Sequence, residues 1–209
     1  MSKLPELIEY ASQTAAFPVK IESVKNWFIN NGYQEKINIL EVDMPSDVCA
    51  AIFERRNDVA MPYSEVPRVT NILLSNELNE CWRRLIACKE LIHLMDANGN
   101  RANSREQIKT LINEIITFAN NNFRPIGSMS PACTADLMAM ERALYLLAPA
   151  SAIDQIKPHY ESGTIDNMDI ALFFKIPVVT VDHIMSDQYA DAYTRAKFEI
   201  VGQKNEIAG

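Results

Sequence analysis

The segment RRLIACKELIHLM, which runs from Arg83 to Met95, predicts the central helix of this chain. Ser75 or Asn76 is suited to cap this helix at its start, and Asn98-Gly99 is suited to end it after about Met95. Side chains spaced four, three and four residues apart share one face of a helix, and here they are Trp82, Ile86, Lys89 and His93. The face therefore combines apolar and ionisable groups and is a candidate for chemistry.

The ionisable residues of this helix lie near the pattern H-E-x-x-H. In that pattern two histidines on successive turns bind one Zn²⁺, and the glutamate takes a proton from the zinc-bound water. The chain has the glutamate, Glu90, and the second histidine, His93, but Lys89 stands where the first histidine belongs. An ammonium group has no lone pair and repels Zn²⁺ unless it loses its proton. Cys88 is no substitute, because it lies roughly 140° around the helix from His93.

Three interpretations of this helix are open. Glu90 and His93 are ordinary polar residues of a buried helix, or they remain from a metal site that has lost a ligand. In the third interpretation the site works, and Lys89 has an unusual role in it.

Composition places the chain among soluble globular proteins. Its 209 residues are 48% hydrophobic and 22% charged, which excludes collagen, disordered and disulfide-scaffold classes. The net charge of −7 argues against a general nucleic-acid or anionic-membrane binder, and no stretch has the ~18 apolar residues of a membrane span. Four cysteines without a C-x-x-C pair, and an N-terminus unlike a signal peptide, predict free thiols in the cytoplasm.

Hydrophobic patterning predicts an α+β fold. A helix over about residues 7–30, interrupted near Pro18, precedes three strands over residues 37–42, 48–55 and 66–75, with a polar turn at 55–58. Short connections between these strands predict a small, mostly antiparallel sheet packed on a helical body.

The second half of the chain is predicted to be helical. The predicted helices cover about residues 105–120, 134–147, 169–174 and 181–198, the last capped by Thr180, with one short turn at 151–156. We expect one domain over residues 1–203, with an N-terminal helical segment at 1–32, a helix-turn-helix-like scaffold at 165–201 and a flexible tail at 204–209.

Three blocks of sequence, in order, resemble the ImmA/IrrE family of zincin-like metallopeptidases. Residues 83–95 are similar to the family's R-R-F-T-x-A-H-E-L-G-H-L-L, and DLMAMERALYLLAP at 136–149 is similar to E-x-x-A-N-x-F-A-x-x-L-L-M-P. DIALFFKIPVVTV at 169–181 is similar to the closing A-x-x-F-x-V-S-x-x-A-V. The resemblance covers roughly residues 37–185, and its strength lies in the order of the blocks.

The resemblance implies a zincin-like fold and a role for each matching residue. Glu90 falls on the general base, His93 on the second zinc ligand and Asp136 on the acidic third ligand, which is usually glutamate. Lys89 falls on the first histidine and breaks the site, and Ile92 replaces the usual glycine. We therefore expect no cofactor, and an ion-paired cluster in which Lys89 takes the place of the metal.

The resemblance thus implies a pseudo-peptidase that acts through protein contacts and can have a regulatory role. Working relatives commonly cleave or regulate repressors in phage, mobile-element or stress-response systems. One alternative is an active zinc-dependent peptidase that uses Glu90, His93, Asp136 and a further ligand. A second alternative is a structural or assembly protein of phage or bacterial origin.

Partners are predicted from the same features. We expect a protein partner, no membrane and no nucleic acid, while the oligomeric state is left open. The segment at residues 169–185 has the spacing of a helix-turn-helix, but its turn and second helix would present Val178, Val179, Asp182 and His183 to the bases. A recognition helix without arginine or lysine, on a chain of net charge −7, argues against DNA reading.

Overall fold

The computed structural model describes residues 3–14, 16–33, 35–47, 49–57, 68–96, 106–107, 109–111, 113–114 and 129–198. The N-terminal segment forms two helices, α1 (Leu4–Ser12) and α2 (Ile21–Asn30). The predicted interruption near Pro18 is confirmed, since this proline lies between the two helices. Gly32 has φ +87°, a left-handed conformation that favours glycine and directs the chain from α2 toward the sheet.

The three predicted strands form one mixed sheet. β1 (Lys36–Val42) and β2 (Ala51–Asn57) flank β3 (Arg68–Ser75), which runs parallel to β1 and antiparallel to β2. The α+β prediction is confirmed, but the mostly antiparallel arrangement is right only for β2 and β3. The central position suits β3 because this strand is largely buried. Buried backbone N–H and C=O groups need hydrogen-bond partners, and a central strand finds them in the strands on both sides. The polar turn predicted at 55–58 is wrong for 55–57, which belong to β2.

The central helix is α3 (Glu80–Ile92), followed by one 3₁₀ turn (His93–Met95). Its N-cap is Asn79, whose side chain accepts a hydrogen bond from the Trp82 backbone N–H, so the prediction of Ser75 or Asn76 is wrong. Ser75 instead ends β3, where its hydroxyl donates to the Met44 carbonyl. The second half of α3 is buried almost all round, as expected for a helix between a sheet and other helices.

The C-terminal part of the described chain is helical. Its α-helices are α4 (Pro131–Leu147), α5 (Ala150–Glu161), α6 (Asn167–Phe174), α7 (Val181–Ile184) and α8 (Asp187–Phe198), with a 3₁₀ segment, Val178–Thr180, between α6 and α7. α4 packs across α3, and this contact brings the two halves of the candidate site together.

Three details of the helix prediction are corrected. The expected short turn at 151–156 is the twelve-residue helix α5. The helix expected over 181–198 breaks after α7, and the Ser186 hydroxyl accepts from the Tyr189 N–H at the start of α8. Thr180 occupies the N-cap position of α7, as predicted, but its hydroxyl donates to the Pro177 carbonyl and makes no cap hydrogen bond.

Some predictions fall on residues outside the described ranges. Of the helix expected at 105–120, residues 106–107, 109–111 and 113–114 are described, and they are helical. The tail at 204–209 lies wholly outside, and the single domain over 1–203 stays a prediction. Among the described residues, no helix has the length and apolar character needed to cross a bilayer.

Candidate functional site

Five ionisable side chains meet where the C-terminal end of α3 crosses α4. We call them the Lys89 cluster: Lys89 and Glu90 from α3, His93 and Asp96 from the turn after it, and Asp136 from α4. The most exposed member, Asp136, shows 21% of its side chain to solvent and the others 6–12%. Water therefore screens their charges only weakly, and the interactions among them are stronger than those of surface ion pairs.

Lys89 links the two helices through its ammonium group. The Nζ atom donates to Glu90 Oε1 at 3.0 Å and forms an ion pair with Asp136. Burial acts to lower the pKa of Lys89, but the negative charges of Glu90 and Asp136 outweigh burial and hold that pKa above its ordinary value. Lys89 is therefore a fixed positive charge in contact with both carboxylates.

His93 is held from both sides of its ring. Its Nδ1 atom lies 2.6 Å from Asp96 Oδ2, and its Nε2 atom lies 3.5 Å from Asp136 Oδ1. Burial acts to lower the pKa of His93, but the hydrogen bonds to Asp136 and Asp96 outweigh it and raise that pKa to about 9. The ring of Phe53, from β2, packs edge-on at 6.2 Å between centroids. His93 is thus a cation at neutral pH, in a fixed orientation.

Asp136 completes the cluster as its shared anion. Burial acts to raise the pKa of Asp136, but the hydrogen bond with His93 and the charge of Lys89 outweigh burial. The pKa of Asp136 therefore lies below its ordinary value. By formal charge, two positive and three negative, the five side chains carry a net charge of about −1.

The end of α3 also favours positive charge. The α-helix stops at Ile92, so Lys89 lies in its last turn and His93 is its C-cap. Carbonyl groups at a helix C-terminus carry partial negative charge that stabilises nearby cations. A helix continuing to Met95, as the sequence predicts, would have placed Lys89 more than one turn from the helix end, where this contribution is weaker.

The structure brings together all four residues that the sequence singled out, Lys89, Glu90, His93 and Asp136. Asp96 is a fifth member that the sequence analysis missed. Its signal was present as an acidic residue three positions after His93, a spacing that brings side chains together on a helical turn.

The cluster does not fit the zinc ion that the family resemblance implies. Within the described part of the chain, no group of three or more His, Cys, Asp and Glu side chains is placed to hold a metal ion. The Lys89 ammonium contacts Glu90 and Asp136, two of the groups that a zinc site would use, and its charge repels a second cation. The His93–Asp96 pair nevertheless has the form of the carboxylate–histidine contacts that orient metal-binding imidazoles.

Protein stability should fall at alkaline pH because of His93. The pKa of His93 is about 9 in the folded protein, against 6.5 for an unperturbed histidine side chain, so the folded protein holds this proton more tightly than the unfolded chain. The stabilisation is complete below about pH 6.5 and is lost as the pH rises through about 9, with a loss of about 2–3 kcal/mol. Chemical denaturation at pH 6.5, 7.5, 8.5 and 9.5 measures this loss.

The variant His93→Gln is the matched control for this titration. Its free energy of unfolding should change less than that of the wild type over the same pH range, because the titrating group is gone. Parallel curves for the two proteins would show that His93 is not held as a cation by Asp96 and Asp136.

Comparison of the chain with protein-family models, curated proteins and solved structures finds no match. The interpretation of the Lys89 cluster therefore depends on its own geometry and charges. The likeness to zincin-like peptidases depends on the three sequence blocks alone.

Proposed function

We propose that this chain is a non-catalytic, zincin-like protein of the ImmA/IrrE type that acts through protein–protein contacts. The observation that carries the proposal is the position of Lys89. Its Nζ atom lies 3.0 Å from the glutamate that would be the general base and pairs with the aspartate that would be the third ligand. In this proposal, a protein cation takes the place of the metal ion that the family's mechanism needs.

The state of Glu90 also supports loss of catalysis. A peptidase glutamate must accept a proton from a metal-bound water, and the metal must keep an open coordination position. Glu90 exposes only 6% of its side chain and is paired with Lys89. A glutamate that is buried and paired with a lysine is poorly placed to take that proton, so an active zinc peptidase with an atypical ligand set is the weaker alternative.

The order of elements agrees with the zincin-like proposal. Three strands come first, then α3 with Glu90 and His93, and then α4 with Asp136. The α+β architecture is compatible with this fold, and the contact of α3 with α4 accounts for why residues 46 positions apart in sequence, Glu90 and Asp136, share one cluster. A purely structural or assembly role would not require these side chains to converge.

A regulatory, cytoplasmic role is proposed on the same grounds. A chain that keeps the fold of a peptidase but not its metal can still bind the partner that the peptidase would recognise. Cys49, Cys81, Cys88 and Cys133 are free thiols, which suits a reducing compartment. We propose a protein partner, no nucleic acid and no membrane, in a phage, mobile-element or related regulatory system.

Zinc uptake by the variant Lys89→His tests the proposal. The variant restores the first histidine of H-E-x-x-H and removes the opposing charge, so it should bind about one zinc ion per chain. Lys89→Gln, which removes the charge without supplying a ligand, is the control and should bind none. Isothermal titration with zinc chloride gives the stoichiometry for both proteins. A lack of uptake by Lys89→His would argue that the site never had zincin geometry.

A further inference from the structure

An apolar face lies on α6 and on the 3₁₀ segment that follows it. Eleven large hydrophobic side chains are exposed among the described residues, and five of them lie between positions 168 and 179. We call these five the α6 face, with exposed fractions as follows: Met168 54%, Leu172 64%, Phe173 44%, Val178 40% and Val179 71%. Such clustering differs from the scattered single residues that are normal on a protein surface.

The size of the α6 face is that of a binding patch. Met168 and Leu172 are four residues apart and lie on one side of α6, which contacts the 3₁₀ segment carrying the two valines. Together the five side chains expose roughly 400–500 Å², within the range in which a monomer's largest apolar patch is often functional.

The α6 face is rigidly supported from below. Phe173 contacts the ring of Phe17 at 5.5 Å, and Phe174 is fully buried. Arg84, on α3, donates to the carbonyl of Lys175 at 3.2 Å and to that of Val19 at 2.7 Å. A surface that is already ordered loses little conformational entropy on binding.

Carboxylates border the α6 face. Asp166 and Asp169 form the capping box of α6, and Asp182 accepts hydrogen bonds from Asn167 and Tyr160. Within the ranges that the structure describes, none of these three carboxylates pairs with a lysine or arginine. Two nearby cations are matched, because Lys175 pairs with Glu80 and His183 with Glu141. Arg84 donates to backbone carbonyls beneath the face, and its single positive charge offsets only one of the three carboxylates. The border is therefore net negative.

The charges and the area exclude two kinds of occupant. A second copy in a two-fold contact would bring the same carboxylates face to face, and the patch is smaller than the ~800 Å² per partner of a stable dimer. An anionic bilayer would be repelled by the same border. A peptide segment with apolar anchors between lysines or arginines satisfies both the apolar centre and the negative border.

We propose that the α6 face docks a basic amphipathic segment of a protein partner. The inference extends the proposed function by naming where and what kind of partner binds. It depends on that function only in the expectation of a protein partner, and not on the zincin-like fold or on the state of Lys89.

Two synthetic peptides of about 18 residues test the docking. Both carry the same stripe of Leu and Phe on a helix-forming backbone, one flanked by lysines and the other by glutamates. Fluorescence anisotropy with the full chain gives their affinities, and methyl NMR signals of Leu172, Val178 and Val179 report the position of binding. We expect the lysine peptide to bind at least 10-fold more tightly than the glutamate peptide, and more weakly in 0.5 M NaCl.

Variants of the chain assign the binding to the α6 face. The double substitution Leu172→Glu/Val179→Glu should weaken the lysine peptide at least 10-fold. Ile29→Glu, at a position 44% exposed on α2, is the matched control and should leave the affinity unchanged. Circular dichroism shows whether each variant keeps its helices, and the NMR signals of the wild type locate the peptide even if a variant fails to fold.

Four outcomes would overturn the proposal: equal affinity for both peptides, no binding of the lysine peptide below about 1 mM, binding that the double substitution does not weaken, or NMR shifts elsewhere. Wild-type binding to 3:1 phosphatidylcholine–phosphatidylserine vesicles, lost in the double variant, would assign the face to a membrane instead. Dimerisation in sedimentation, lost in the same variant, would assign it to a second copy. None of these results bears on the zinc uptake of Lys89→His, so the two proposals fail separately.

Discussion

Replacing Lys89 by Met is expected to lower the free energy of unfolding by about 2–4 kcal/mol. The substitution keeps much of the apolar stem but leaves Glu90, 5% exposed as a residue, without its ammonium partner. Removing one member of a buried ion pair is costly, because the remaining charge has lost both water and its counter-ion. Urea denaturation at pH 7 measures the difference from the wild type.

An exposed lysine provides the comparison. Lys157 pairs with Asp187 on the surface, where the aspartate side chain is 95% exposed, so Lys157→Met should cost much less stability than Lys89→Met. The double variant Lys89→Met/Asp136→Leu should lose less stability than the sum of its single variants, since it removes both charges of one pair. If Lys89→Met cost no more than Lys157→Met, Lys89 would be a solvated side chain and not the cation of a buried cluster.

The variant Lys89→His/Asp136→Glu is expected to become zinc-stabilised. Glutamate supplies the methylene that Asp136 lacks relative to the family's third ligand. Asp96 contacts Nδ1 of His93, a contact of the kind that orients metal-binding imidazoles, and Nε2 faces Asp136. A ligand that binds only the folded state stabilises it by about 4 kcal/mol at a thousand times its Kd. Thermal unfolding with and without zinc, followed by addition of a chelator, measures the effect.

The wild type and a triple variant are the two controls for this experiment. Zinc should leave the Tm of the wild type unchanged, and adding His93→Gln to the double variant should abolish the shift. A zinc-induced rise in Tm that persists without His93 would place the metal elsewhere on the chain and remove this support for a decayed site.

Local sequence patterns were sufficient to predict the main elements and three members of the cluster, Lys89, Glu90 and His93. Apolar spacing located α3, and the block at 136–149 located α4, because both helices bury one face at a period of about 3.6 residues. The contact of Lys89 with Glu90 follows from their places in the family pattern. That Asp136 would reach them came from the family resemblance and not from any local property of the sequence.

The remaining features depend on tertiary contacts that no local pattern contains. β3 lies between β1 and β2 because of its burial, whereas sequence order favoured hairpins. α3 stops at Ile92, where the chain tightens into a 3₁₀ turn that brings Asp96 back to His93. That stop changes the electrostatics, since it places Lys89 and His93 at a negative helix end.

The zinc content of the wild-type protein, purified without chelator and measured by elemental analysis, tests most directly whether Lys89 takes the place of a metal. The geometry of Lys89 with Glu90 and Asp136 predicts zinc far below one ion per chain, even after incubation with excess zinc and removal of the unbound metal. Zinc near one ion per chain, lost when His93 is replaced by Gln, would contradict the account and favour an active metallopeptidase.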